Sequence, residues 1–179
     1  MKDWNVIVIV NDGWFNEALR FLGEFGAARR SRFYNVIEMS AANTRELLEG
    51  LRRKFAEEPG TSVIFSRILP VEMTFAFSSQ EEFRRKAGET ALVFVPQLKG
   101  KSFHVRIHSR GFKKTFSSPD EERFLDKLLL DGLESSGTPG RISFERPDAI
   151  VDIETLEDRA GAALWGREDF ASYPFVKVE

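Results

Sequence analysis

Lys101-Ser102-Phe103-His104-Val105-Arg106-Ile107-His108 is the stretch that decides the fold of this chain. Polar and apolar residues alternate through it, the period of a strand with one buried face and one open face. Phe103, Val105 and Ile107 point to one side. His104, Arg106 and His108 point to the other, and Arg110 continues the polar row. Upstream, Ser79-Gln80-Glu81-Glu82 is a capping box that opens a helical region over 79–98, expected to break near Gly88. Downstream, Ser118-Pro119-Asp120-Glu121 is another, with Pro at the first helical position. The helix behind it carries Phe124, Leu125, Leu128 and Leu129 on one side. Strands are expected over Arg141–Glu145 and Ala149–Ile153, around the Arg146-Pro147-Asp148 turn, and a last one over Asp158–Trp165.

The N-terminal part reads as a second unit. Asn5–Val10 is a β-branched strand that ends at Asn11-Asp12-Gly13. A helix follows, with apolar residues from Trp14 to Phe25, and Gly26 stops it. Arg32–Met39 reads as a strand. Asn43-Thr44-Arg45-Glu46 caps a helix whose stripe is Leu47, Leu48, Leu51 and Phe55. Ser62–Leu69 and Glu72–Phe77 complete the order β-α-β-α-β-β. Short connections and this order suggest a ferredoxin-like α+β unit. The boundary is expected near residue 77, giving domains 1–77 and 78–179 that pack against each other.

The chain has 179 residues, with 26 basic and 28 acidic side chains, for a formal charge of −2. No cysteine is present, which excludes disulfide scaffolds, thiolate metal sites and a cysteine nucleophile. The longest apolar runs, such as Val6–Val10, are far short of the roughly 20 residues that span a bilayer. The Val6–Val10 run lacks a basic n-region and a small-residue cleavage site, so it does not read as a signal peptide, and a soluble cytoplasmic chain without a membrane partner is expected. The near-neutral total is a cancellation. Residues 76–114 carry 9 basic groups against 3 acidic, net +6, and residues 115–179 carry 7 against 15, net −8. No acidic residue lies between Glu89 and Asp120. Such asymmetry points to a polyanion surface or to a solvated basic face.

Motifs for chemistry are scarce. Gly100-Lys101-Ser102 resembles the end of a phosphate-binding loop, but Val95 stands where its first Gly belongs and a strand follows it. On a strand, His104 and His108 lie roughly 13 Å apart and cannot share one metal ion. No catalytic residue, metal site or cofactor is expected. The cations of Lys99–Lys114, interleaved with Phe112 and Phe116, fit phosphates and unpaired bases. They fit equally an exposed sheet face whose charges keep it in solution.

Three segments carry a family resemblance. Phe103–Gly111, Ser117–Arg123 and Arg146–Glu154 resemble the THUMP domain, which has a strand with aromatic-x-Val and a later Arg, a Ser-Ser cap before a Glu-rich helix, and an Asn-Pro-Asp turn before a Val/Ile-Asp/Glu strand. Arg146 stands in place of that Asn. The match covers about residues 76–179 with elements in the order α-α-β-α-β-β. The first unit is similar to the ferredoxin-like domain that usually precedes THUMP. Ser66–Val71 looks like the Arg-x-x-Pro hinge of stand-alone THUMP proteins of the tRNA acetyltransferase-adaptor type, and Leu164–Glu168 with Tyr173-Pro174-Phe175 looks like prokaryotic members of that group.

The resemblance implies a tRNA-binding protein without catalysis of its own, which presents tRNA to an RNA-modifying enzyme such as an acetyltransferase. Arg106, Arg110, Lys113 and Lys114 are expected on phosphates, with Lys99, Lys101, His104 and His108 at the edges. Arg84, Arg85 and Lys86 could extend the patch, and Arg67 joins it by its hinge position. Two other readings compete: an enzyme that uses carboxylates of the acidic C-terminal face, and a protein-interaction module with no RNA role.

Overall fold

The computed structural model describes residues 3–111 and 116–179. In chain order the elements are β1 (Val6–Val10), α1 (Phe15–Leu22), β2 (Ala27–Arg30), β3 (Val36–Ser40), α2 (Thr44–Glu57), a 3-10 turn (Pro59–Ile64), β4 (Phe65–Pro70), β5 (Met73–Ala76), α3 (Gln80–Leu92), α4 (Val95–Leu98), β6 (Ser102–His108), α5 (Ser118–Ser135), β7 (Arg141–Ile142), β8 (Ala149–Leu156), β9 (Arg159–Gly166) and α6 (Arg167–Ser172). The chain is mixed α+β with two sheets. Met1–Val71 with Glu168–Glu179 makes one compact unit and Glu72–Arg167 the other. The sequence reading cut the chain once, after residue 77.

In the first unit the β-branched run of β1 is central. Antiparallel β3 and β4 flank it, and β2 pairs outside β3, giving the order β2-β3-β1-β4. β2 is a strand that the sequence reading did not anticipate, because Ala27-Ala28-Arg29-Arg30 contains no β-branched or aromatic residue. Tertiary pairing builds it, and the Arg29 Nε–Glu38 contact at 2.8 Å joins directly opposite residues of β2 and β3. The Asn43 cap forms as read, with Asn43 Oδ1 accepting from the Arg45 and Glu46 amides. Phe21, Phe55 and Phe65 gather into one ring cluster with centroids 5.5–5.9 Å apart.

The second sheet has the order β5-β9-β8-β6-β7. β5, expected as the last strand of the first unit, pairs antiparallel with β9 and belongs here. β6 and β8 are parallel over six residues, and β7 adds only two. Phe103, Val105 and Ile107 bury one face of the sheet against Phe83, Ala87 and Phe94 from upstream and Leu125, Leu129 and Leu133 of α5. The helical region does not break at Gly88. Gly88 lies inside α3, where a Cβ would sit 3.0 Å from Leu128 Cδ2 of α5, so its small size serves helix packing. The chain turns instead after Leu92, and Pro96 opens α4.

α5 also closes the outer edge of β6. Asp126 Oδ1 accepts from the Val105 amide and Glu122 Oε1 from the Ile107 amide, each at 2.8 Å. Burial pushes the Asp126 carboxyl up to about 6. Among the described residues no helix is long and apolar enough to cross a membrane.

Asp126→Ala leaves the Val105 amide without its acceptor and is expected to cost about 1–3 kcal/mol. Asp126→Asn keeps an acceptor and sheds the buried charge. Because the folded pKa lies above the ordinary 3.8, the ionised form weakens the fold as pH rises through about 6. Relative to the parent, Asp126→Asn should therefore gain stability on the alkaline side of that pH. Urea unfolding on both sides of it checks this.

Candidate nucleic-acid interface

The N-terminal ends of β6 and β8 are clasped together. Asp148 Oδ2 accepts from both the amide and the hydroxyl of Ser102, at 2.8 and 2.7 Å, and the Asp148 amide donates to Ser102 O at 2.8 Å. The Ser102 amide and hydroxyl hold the Asp148 carboxyl below its ordinary range. Just upstream, Gly100 takes a left-handed φ of 68°, which lets the chain reverse from α4 into β6. Lys99 and Lys101 flank that turn and are exposed. The parallel register sets exposed Arg141 opposite Ser102.

The clasp also fixes the loop 143–148. His104 is buried, and its Nδ1–H donates to Ser143 O at 2.9 Å, since a carbonyl can only accept. Phe144 lies over the His104 ring with centroids 5.2 Å apart, yet is 65% exposed. Exposed Arg146 follows on the same loop, and exposed Arg106 is the next residue of the His104 row. This end of the sheet thus offers cations for phosphates and an open ring on which a base can stack.

The other end of β6 is different. His108 and Arg110 meet the fully buried carboxylates of Asp152 and Glu154. His108 Nδ1 lies 3.1 Å from Glu154 Oε1 and 3.6 Å from Asp152 Oδ1, and Arg110 Nη1 contacts Glu154 Oε2. The Arg110 amide donates to Thr155 Oγ1 at 3.0 Å. Burial opposes charge on His108, but the two carboxylates outweigh it and raise its pKa to about 9. Burial likewise pushes Asp152 up, with the Glu154 charge adding to it. With both carboxylates ionised and His108 protonated, two cations face two anions and the network is neutral. Ligand atoms of His108, Asp152 and Glu154 lie within 4.8 Å of one another and could hold a divalent cation, though the proton and the guanidinium already balance the carboxylates.

Of the residues expected on RNA, Lys99, Lys101 and Arg106 are exposed on the second unit. His104 is buried beneath Phe144, so burial removes it from any solvent-facing row. His108 and Arg110 turn into the carboxylate network. Arg67 is half-buried on β4 of the first unit. Lys113 and Lys114 lie outside the described residues. Arg84 grips buried Glu121 at 2.8 Å, Arg85 pairs with Glu89, and Lys86 pairs with Glu82. Arg141 and Phe144 do not stand out in the sequence, and Arg146 stands out only as the residue that replaces the turn Asn. They sit in the acidic third of the sequence, and only the parallel pairing of β7 with β6 shows where they go.

No protein-family model matches the chain. It is 30% identical over 148 residues to tRNA sulfurtransferases of Shigella sonnei (strain Ss046) and Escherichia coli (strain K12), an alignment covering 83% of this chain and 28% of each relative. The chain thus spans little over a quarter of the length of these curated relatives. Among solved structures it superposes on PH1313 from Pyrococcus horikoshii Ot3, with a TM-score of 0.63 and 16% identity over 90% of this chain and 54% of that one. It superposes on TrmN from Thermus thermophilus with 0.61 and 20% identity, covering 89% and 44%. A 4-thiouridine synthetase in complex with RNA and ATP gives 0.60 and 14% identity, covering 91% and 41%. These are likenesses of fold.

The His108 network is expected to show in the pH dependence of stability. Its folded pKa lies above 6.5, so its contribution is complete below that pH and is lost as pH rises through about 9. His108→Gln should flatten the fall of unfolding free energy across this window. Arg110→Ala, which leaves Glu154 buried with one cation fewer, should cost about 3–5 kcal/mol. Denaturant titrations across the window measure both.

Proposed function

We propose that this chain is a tRNA-binding module that presents tRNA to a modification enzyme and is not itself the catalyst. The observation that carries the reading is the cationic end of the second sheet, where Lys99, Lys101, Arg106, Arg141 and Arg146 accompany the exposed ring of Phe144. The identity with tRNA sulfurtransferases supports tRNA as the polyanion. The order β-α-β-β-α-β with sheet order β2-β3-β1-β4 supports a ferredoxin-like first unit. The order β-α-α-β-α-β-β-β of the second, which contains the run α-α-β-α-β-β, supports a THUMP domain.

A role without catalysis is supported by what the acidic residues do. Glu121 holds Arg84 and Gln80, Glu122 and Asp126 cap β6, Asp148 clasps Ser102, and Asp152 and Glu154 balance His108 and Arg110. Each of these carboxylates faces an amide, hydroxyl or cation of the chain itself, whereas an acid/base pair needs groups converging on a substrate cavity. The chemistry then falls to an RNA-modifying enzyme. The adaptor resemblance favours an acetyltransferase, acting on cytoplasmic tRNA.

Filter binding with tRNA across a salt series tests the reading. Lys101→Ala and Arg106→Ala should each lower the log–log salt slope by about one unit. Phe144→Ala should weaken binding by about tenfold with less change in slope, as loss of a stacked base would. Lys127→Ala, whose ammonium is paired with Asp131, serves as the neutral control. Parental affinity in Lys101→Ala, Arg106→Ala and Phe144→Ala alike at every salt concentration would overturn the assignment.

A further inference from the structure

The first unit contains a cavity of about 530 Å³ that the cationic sheet end does not involve. Phe55, Phe65 and Phe175 form its apolar wall, with Phe55–Phe175 centroids 5.2 Å apart and Phe55–Phe65 centroids 5.9 Å apart. Phe65 and Phe175 are buried, but Phe55 is only half-buried, which leaves part of its ring at the cavity wall. Arg52 and Lys177 also line the cavity, and Ser62 adds a hydroxyl. No acidic side chain lines it among the described residues.

The Arg52 guanidinium is held in place. Its Nε and Nη2 donate to Glu49 Oε2 at 3.1 and 2.6 Å, and the Tyr173 hydroxyl donates to Glu49 Oε1 at 2.5 Å. The Tyr173 hydrogen bond, followed by that of Arg52, keeps the Glu49 carboxyl below its ordinary range. Glu49 thus spends both oxygens on orienting its neighbours, and the remaining guanidinium Nη1 is left for a ligand. An aromatic wall of inclined rings beside two cations suits an apolar ring that carries an anionic group. The volume falls within the roughly 300–1,000 Å³ of small-ligand sites.

The geometry points to a nucleotide site: the base lies against Phe55, and the phosphate is taken by Arg52 and Lys177. Two sources share this chemistry, a free nucleoside monophosphate and an unpaired nucleotide of a bound RNA. The second rests on the tRNA-binding reading above.

Adenosine monophosphate, adenosine and inorganic phosphate are titrated into the full 179-residue chain, with the aromatic proton resonances of Phe55, Phe65 and Phe175 followed by NMR. Adenosine monophosphate should give saturable shifts, and adenosine or phosphate alone should bind more weakly. Arg52→Gln and Lys177→Gln, both at exposed positions, should each weaken adenosine monophosphate by about tenfold, as loss of a charge-assisted contact does. A blunt RNA duplex and one with an unpaired overhang separate the sources. An overhang advantage that vanishes in the double variant assigns the site to RNA, and equal binding of the two duplexes assigns it to the free nucleotide. No saturable shift, or parental affinity in both variants, overturns the site. Retention of tRNA on the filter without a nucleotide shift sinks the site and leaves the tRNA reading standing. A nucleotide shift without tRNA retention does the reverse.

Discussion

The second unit depends on how the outer edge of β6 is closed. β8 runs along the inner side, whereas β7 reaches only Ser102 and Phe103. Beyond them the amides of Val105 and Ile107 need acceptors, because a buried N–H without one costs as much as a lost hydrogen bond. Asp126 and Glu122 supply these. Four residues along a helix rise about 6 Å. Two residues along a strand advance about 6.6 Å. Carboxylates at i and i+4 therefore match alternate amides of a strand lying alongside. That match sets both the rotation of α5 and its height along β6. Once it is set, Leu125, Leu129 and Leu133 face the core and Leu128 meets Gly88 of α3.

The same arrangement explains why net charge is a poor guide to the surface. Residues 115–179 count as strongly acidic, yet Glu121, Asp126, Asp152 and Glu154 are all buried and face amides or cations of the second unit. The register pairs Arg106 with Asp152 and His108 with Glu154, so the basic and acidic segments meet strand to strand. Where the acidic partners are buried, their charge is answered internally. Where β6 begins, no ion pair joins Lys99 or Lys101 to a carboxylate among the described residues, and these cations face water.

This is also where sequence reading reached its limit. Alternation along Ser102–His108 gives the strand and its buried face correctly, because period 2 is a property of one strand alone. It cannot say which residues stand beside the polar row, since that depends on the parallel partner β8, more than 40 residues away. His104 and His108 accordingly read as members of an open row, whereas one is buried and the other is neutralised. β2 escaped because pairing, not propensity, makes it a strand. β5 was given to the nearer sheet because sequence proximity is the only cue available before the β9 pairing is known. Gly88 read as a breaker because a glycine required by a neighbouring Leu looks the same as one that ends a helix.

The burial of His104 has a consequence for binding. A surface that grips a flexible polyanion loses affinity for each side chain it must order on contact, about 0.5–1.5 kcal/mol apiece. The His104 Nδ1–H on Ser143 O and the Ser102–Asp148 clasp fix the loop that carries Phe144, so its ring is presented already ordered. In the first unit the Tyr173–Glu49–Arg52 chain does the same for a guanidinium. In both places a polar group acts one step back, holding the group that would touch the ligand. A histidine is well suited to the position beneath Phe144. It is flat enough to lie under a ring and polar enough to hold a backbone carbonyl, whereas a lysine or arginine there would carry its charge out to solvent and leave the loop unsupported.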